Sequence, residues 1–276
     1  MTTVPTWEDF PMTHLSRTDA DLYYELRGDG PLVVLAGAPM AAGAFAALAG
    51  MLAADHSVLT TDPRGIGRSS VRDRDAPSTP RERAADLAAL IDHVGRGPAK
   101  LALGSSGGAV SVLALAERHP ESVDAVVAHE PPLLEVLPDR EALWAGTEEM
   151  LAIFETGDRL ATFRKFMEVA NLRLPDEVVE MMAGGEPSEQ ELADDAFQYR
   201  NMYRGTVGFR PDIERLLSVP TRVLIGLGED SAGELCDRSS RALAAMLGRE
   251  PVMFPGGHIG FAEDPAAFEP ELRKLL

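Results

Sequence analysis

The run best suited to covalent chemistry is Lys100–Ala109, KLALGSSGGA, in which Gly104, Ser106 and Gly108 form a G-x-S-x-G. A strand-like apolar run leads into it and a helical run, AVSVLALAERH, leads out. A sharp strand-to-helix turn forces the serine into a strained conformation and lifts its hydroxyl above a sheet. The glycines let the chain turn tightly, and the N–H groups opening the helix favour negative charge developing there. Ser105 is the weaker nucleophile candidate, because Leu103 rather than glycine lies two residues before it. A free serine hydroxyl attacks poorly at neutral pH and needs a base beside it. His258 fits that need: it lies in a glycine-rich loop, PGGH, after a strand-like PVMF. His14 comes too early in the chain, and His56, His93 and His119 lie in or just after helical segments.

A histidine base needs a carboxylate holding its other nitrogen. Glu130 ends the VDAVVA strand in His129-Glu130-Pro131-Pro132, and Asp230 lies in the later GLGEDS. An oxyanion hole draws one donor from the residue after the nucleophile, Gly107, and another from the loop after the LVVLA strand. No HExxH or clustered ligand spacing points to a metal, and the single cysteine, Cys236, excludes cysteine-based zinc sites and internal disulfides. Gly65-Ile66-Gly67 lacks the third glycine of a dinucleotide loop, Ser70 standing there, and no P-loop lysine follows.

The elements that must position these residues alternate. LYYEL (22–26) and LVVLA (32–36) read as strands joined by RGDGP, a turn predicting a hairpin. SVLTT (57–61), KLAL (100–103), VDAVVA (123–128), TRVLIG (221–226) and PVMF (251–254) read as further strands. Helical spacing covers Thr79–Val94, and helices fit Ser239–Leu247 and Pro265–Leu275. Such alternation predicts an α/β fold, a mostly parallel doubly wound sheet with helices on both faces. Residues 133–217 break the alternation and read as a helical cap inserted into a core of 1–132 and 218–276. Within it, positions 144–203 hold 11 of the chain's 25 Met, Phe and Tyr residues, which suits a lid over an apolar pocket. Met150, Phe154, Phe163, Met167, Met181, Phe197 and Tyr203 are its candidate lining residues.

With 276 residues, 45% hydrophobic and 25% charged, the chain is ordinary globular material. Its 26 basic and 44 acidic residues leave a net charge of −18, which repels nucleic acid and anionic lipid. The uncharged stretch Leu32–Ala54 is long enough to span a bilayer, but Gly37, Pro39, Gly43 and Gly50 break it into a strand, a loop and a small-residue helix. The start, MTTVPTWEDFPMTHL, has neither the basic nor the apolar region of a signal peptide. A cytoplasmic location is expected.

These motifs together resemble the α/β-hydrolase superfamily. Ala36-Gly37-Ala38-Pro39 stands where that family commonly has His-Gly-x-Pro, and the match implies Ala38 as the second oxyanion donor. Asp62-Pro63-Arg64-Gly65-Ile66-Gly67-Arg68-Ser69 matches its D-x-R-G-x-G-x-S turn, and Pro255–His258 with Glu263-Asp264-Pro265 matches its C-terminal histidine loop. The family usually places its acid as an Asp three residues after a glycine; here that glycine is Gly228 and the position holds Ser231, one residue past Asp230. Some members, including zearalenone-type lactonases, place the acid where Glu130 stands, in a similar His-Glu-x-Pro run. Glu130 is therefore the preferred acid and Asp230 the alternative.

The implied activity is a cofactor-free serine hydrolase cleaving a small, largely apolar carboxylic ester or lactone through an acyl-enzyme. Carbon–carbon bond hydrolysis, cofactor-free haloperoxidation and natural-product cyclisation are alternatives for the same triad. A ligand receptor on a hydrolase scaffold is the non-enzymatic one.

Overall fold

A computed structural model describes residues 13–276, so the expectation that the chain's first residues form no signal peptide lies largely outside it. Among the described residues one nine-stranded sheet forms the centre. Its strands are β1 (Thr13–Ser16), β2 (Ala20–Arg27), β3 (Leu32–Ala36), β4 (Ser57–Thr61), β5 (Ser70–Val71), β6 (Leu101–Ser105), β7 (Ala125–His129), β8 (Arg222–Gly228) and β9 (Val252–Phe254). The spatial order is β1-β2-β4-β3-β6-β7-β8-β9, with β5 beside β2. From β4 through β9 every pairing is parallel.

The expected hairpin between β2 and β3 does not form. β2 pairs antiparallel with β4, and β4 separates it from β3. The RGDGP turn packs instead on the chain entering β4. A Cβ on Gly28 would lie 2.3 Å from the His56 carbonyl oxygen, and one on Gly30 2.4 Å from that of Asp55. Two glycines at positive φ thus let the loop close over the strand that inserts. β3 is buried along its whole length, so a neighbour on each side suits it better than an edge.

Helices cover both faces. α1 (Ala46–Leu52), α2 (Pro80–Val94) and α3 (Gly107–Arg118) belong to the first half of the chain. Between β7 and β8 come α4 (Arg140–Phe154), α5 (Arg159–Ala170), α6 (Asp176–Ala183), α7 (Glu189–Phe197), α8 (Tyr203–Val207) and α9 (Ile213–Ser218). The chain closes with α10 (Leu235–Met246), α11 (Gly260–Glu263) and α12 (Pro265–Arg273). Strand periodicity divides the core in two. Val34, Ala36, Ala102 and Val126 pack toward α2, α3 and α10. Val33, Leu35, Leu101, Leu103 and Val127 pack toward α1 and α12. No described helix is long and apolar enough to cross a membrane, and residues 32–54 divide between β3, a short 3-10 turn and α1.

Thr79 caps α2 with a reciprocal capping box to Glu82, and Pro80 fills the first helical position. The Asp62–Ser69 turn joins the core to the inserted helices. The buried Asp62 carboxylate accepts from the Ala42 and Arg68 N–H groups and from the Arg68 guanidinium. The Gly67 N–H donates to Asp194 on α7 at 3.0 Å. Phe197 lies on Gly65, where a Cβ would come within 2.2 Å of its ring.

Candidate active site

Ser106 sits between β6 and α3 with φ 57° and ψ −123°. Non-glycine residues avoid this region unless their surroundings impose it. Here its N–H donates to the His129 carbonyl at 3.0 Å, tying the turn to β7. Close packing does the rest: a Cβ on Gly104 would lie 2.2 Å from the Gly108 carbonyl oxygen, and one on Gly108 2.2 Å from that of Ala36. Gly107 begins α3, where an N–H has no acceptor within the helix. A Cβ on it would lie 2.3 Å from the Ala38 carbonyl oxygen, so the two residues expected to supply oxyanion donors are in backbone contact beside Ser106.

Glu130 follows β7 and also has a positive φ, 55°. Its side chain is fully buried. Oε1 accepts from the Gly228 N–H at 2.8 Å, and Oε2 lies 2.6 Å from Nδ1 of His258. His258 comes from the loop between β9 and α11 and keeps 29% of its side chain exposed, so the far side of the ring stays accessible. Asp230 stands apart. It is exposed, and its N–H donates to the Gly256 carbonyl at 3.0 Å. Ser105 is fully buried, its hydroxyl without a hydrogen-bond partner among the described residues.

Burial works against the charge of Glu130, but the hydrogen bond with His258 and the attraction of the His129 and His258 rings together outweigh it and hold its pKa below the ordinary value. Burial likewise opposes an imidazolium at His258, yet Cys236 and Glu130 beside it reverse the effect and raise its pKa well above the ordinary value. Burial pushes the Cys236 thiol up as well, and Glu130 is the buried carboxylate that can balance the imidazolium.

Ser106, His258, Ala38 and Gly107 open on one cavity of about 120 Å³. One water needs roughly 10–15 Å³ by this measure, so the space suits a small ligand. Pro39, Phe166, Leu172, Met202, Val207 and Leu235 make its wall largely apolar. Of the seven lining residues expected from the sequence, Tyr203 is on this wall. Met150 packs inward among the inserted helices with Leu134, Leu151 and Val207. Met167 is buried off the cavity wall. Phe154 and Phe163 line a second cavity of about 240 Å³. Phe197 packs on Ala38, Ile66 and Met202 behind the wall. Met181 is 76% exposed. Cys236 and Leu235, missed in the sequence, face the cavity from the first turn of α10. That helix begins four residues before the expected Ser239, and Leu235 followed by the period of α10 is the signal that could have found them.

His129, next to Glu130, is fully buried against the edges of Phe254, Phe261 and Phe268. Neither ring nitrogen has a hydrogen-bond partner among the described residues. Burial lowers its pKa from 6.5 to about 4. The unfolded chain therefore takes up a proton below its own pKa while the folded one does not, and stability is lost as pH falls from there to about 4. The loss is about 3 kcal/mol. In His129→Leu, urea unfolding at pH 7.5 and pH 4 should show an acid loss smaller by about that amount. The packing change is common to both pH values and cancels. Equal acid losses in the two proteins would contradict this account.

The sequence profile of the alpha/beta hydrolase family matches residues 32–271. An uncharacterized hydrolase of Bacillus subtilis, YraK, is 29% identical over 270 residues, covering 93% of each chain. Among solved structures, an N-acyl homoserine lactone degrading enzyme matches with a TM-score of 0.72 at 20% identity, covering 96% of this chain and 100% of that one. An esterase from Thermogutta terrifontis matches with a TM-score of 0.67 at 20% identity, over 96% and 97%. At such identities the structural likeness speaks for the fold alone. The family profile spans most of the chain and both segments that meet at Ser106 and His258, and the chain belongs to the alpha/beta hydrolase family.

Proposed function

We propose that this hydrolase cleaves a small, largely apolar carboxylic ester or lactone through an acyl-enzyme on Ser106. The observation carrying this reading is that a strained serine and a histidine held at 2.6 Å by a buried carboxylate share one apolar cavity. Ser106 Oγ attacks the substrate carbonyl as Nε2 of His258 takes its proton. The Ala38 and Gly107 N–H groups receive the oxyanion. His258 then passes the proton to the departing alkoxide oxygen, and the C–O bond breaks. Water, deprotonated by the same ring, releases the acid and restores Ser106. Glu130 holds the ring's Nδ1–H throughout. The lactone-degrading and esterase neighbours are compatible with this bond type.

The test is covalent. A fluorophosphonate should label the protein once, and peptide mass spectrometry should place the adduct on Ser106. An adduct on Ser105, or none in a preparation that turns over esters, would refute the reading. A panel of lactones, esters and diketones then ranks the bond types.

The two cavities share Phe166 and Gln198. Phe166 on α5 therefore divides the space beside Ser106 from the larger one beyond. Removing its ring in Phe166→Ala should join them. We expect the ratio of kcat/KM for a long acyl chain over a short one to rise about tenfold, the scale of one or two methylenes newly accommodated. Phosphonate labelling should be unaffected. An unchanged chain-length ranking would show that the second cavity is not part of the substrate path.

A further inference from the structure

We propose that Glu130, Cys236 and His258 form a binding site for a thiophilic divalent cation, zinc(II) foremost, and that its occupation switches the hydrolase off. The part about inhibition rests on the proposed role of His258; the site itself does not.

The ligand atoms of the three side chains lie within 4.8 Å of one another. They come from three distant segments: the end of β7, the first turn of α10 and the loop after β9. Local sequence spacing therefore gives no sign of them, and the expectation that one cysteine leaves no cysteine-based zinc site does not reach a thiolate that the fold brings beside His258 and Glu130. Thiolate, imidazole and carboxylate are the three ligand types zinc accepts, at bonds of about 2.0–2.3 Å, which places tetrahedral ligand atoms roughly 3.3–3.8 Å apart. The present separations, 2.6 Å between Nδ1 of His258 and Oε2 of Glu130 and no more than 4.8 Å among all three ligand atoms, bracket that spacing. The third ligand is already oriented. Oε1 of Glu130 is held by the Gly228 N–H at 2.8 Å while Oε2 faces the ring, which is the outer hydrogen bond that ligating carboxylates generally have. The cavity in front leaves a fourth position for water. Glu234 on the same wall and a net charge of −18 favour a cation there. Cys236 is a free thiol. Oxygen-seeking cations such as magnesium and calcium gain nothing from a thiolate and an imidazole.

Coordination needs a neutral His258 ring and a Cys236 thiolate, so the thiol proton and, where the ring is charged, its second proton leave. The Cys236 thiol releases its proton to solvent and binds as thiolate. If the ion takes Nδ1 of His258, the ring proton moves to Nε2, which can no longer accept from Ser106. If it takes Nε2, it occupies the lone pair that would receive that proton. Either nitrogen gives the same result, a ring unable to act as base.

The test measures binding apart from turnover. Zinc titrated against a chromophoric chelator should bind one ion per chain, equally well in wild type and Ser106→Ala. Cys236→Ala and His258→Ala should each weaken that binding at least tenfold, with circular dichroism and melting showing intact folds. Cys236→Ser, closer in size to cysteine, is the second variant if alanine disturbs α10. Cobalt(II) in place of zinc should give a thiolate-to-metal charge-transfer band in the near ultraviolet, absent without Cys236. Zinc should also inhibit ester turnover, reversibly with EDTA. Its inhibition constant, normalised to each protein's zinc-free rate, should rise at least tenfold in Cys236→Ala. Zinc binding unaffected by Cys236 and His258, or cobalt binding without the charge-transfer band, overturns the site whatever Ser106 does. Stoichiometric binding at the three residues with undiminished turnover overturns the switch. Failure of Ser106 to take the phosphonate, with zinc binding still dependent on Cys236, would strike the hydrolytic reading and not the metal site.

Discussion

Ser106→Ala is expected to lower kcat by about 10⁴–10⁶-fold on any ester the protein turns over, the scale seen when a serine nucleophile is removed from a working triad. The fold should be untouched. Alanine keeps the Cβ, so the strained φ of 57° is imposed on it by the same contacts. The N–H bond to His129 does not involve the side chain. Ser105→Ala is the matched control one residue away. Its hydroxyl is buried and without a partner among the described residues, so alanine there removes an uncompensated polar group and should leave both rate and stability near wild type. Steady-state kinetics with an aryl ester, alongside thermal melts of the three proteins, decides the matter. Turnover by Ser106→Ala within tenfold of wild type would mean that another group carries the chemistry.

The parts of this site legible in the sequence are those fixed by backbone. A G-x-S-x-G between an apolar run and a helical run leaves few ways to fold. Gly104 and Gly108 face carbonyl oxygens at distances no side chain tolerates, so their spacing reports the elbow directly. Glu130 was legible as one of two candidate acids because β7 ends there; which of them bonds His258 depends on the sheet, which brings the Gly228 N–H against Oε1 of Glu130 and leaves Asp230 in solvent. The hairpin expectation failed because a glycine turn specifies a reversal of direction and not a partner. β4, 30 residues after β2 in the chain, takes the place that β3 would have had. The inserted helices were hardest. Apolar periodicity says that Met150 or Phe197 is buried, but these helices bury residues against one another, against the core and against the cavity. Met150 belongs to the first group and Phe197 to the second. Phe166, which divides the two cavities, has the same local pattern as its neighbour Phe163, which does not reach Ser106.

Glu130→Gln should lower kcat by about 10²–10⁴-fold while Asp230→Asn changes it by less than about threefold. The argument rests on the direction of one proton. With Oε2 of a carboxylate 2.6 Å from Nδ1, the neutral ring must carry its single proton on that nitrogen, leaving Nε2 free to accept from Ser106. Glutamine is nearly isosteric. Its amide oxygen can keep the Gly228 N–H bond that Glu130 makes at 2.8 Å, which turns its NH₂ toward Nδ1. The ring then accepts at Nδ1 and holds its proton on Nε2, the tautomer that cannot serve as base. The charge that stabilises the imidazolium is lost at the same time. Melting should change little, because the buried group remains hydrogen-bonded at both ends and a buried charge is removed. The defect should appear mainly in kcat, since the cavity that binds substrate is unaltered. Asp230 is exposed and outside this bond, so its neutral variant is the control for surface charge. The reverse order of effects in matched kinetics would transfer the orienting role to Asp230 and leave Glu130 as the link between β7 and β8.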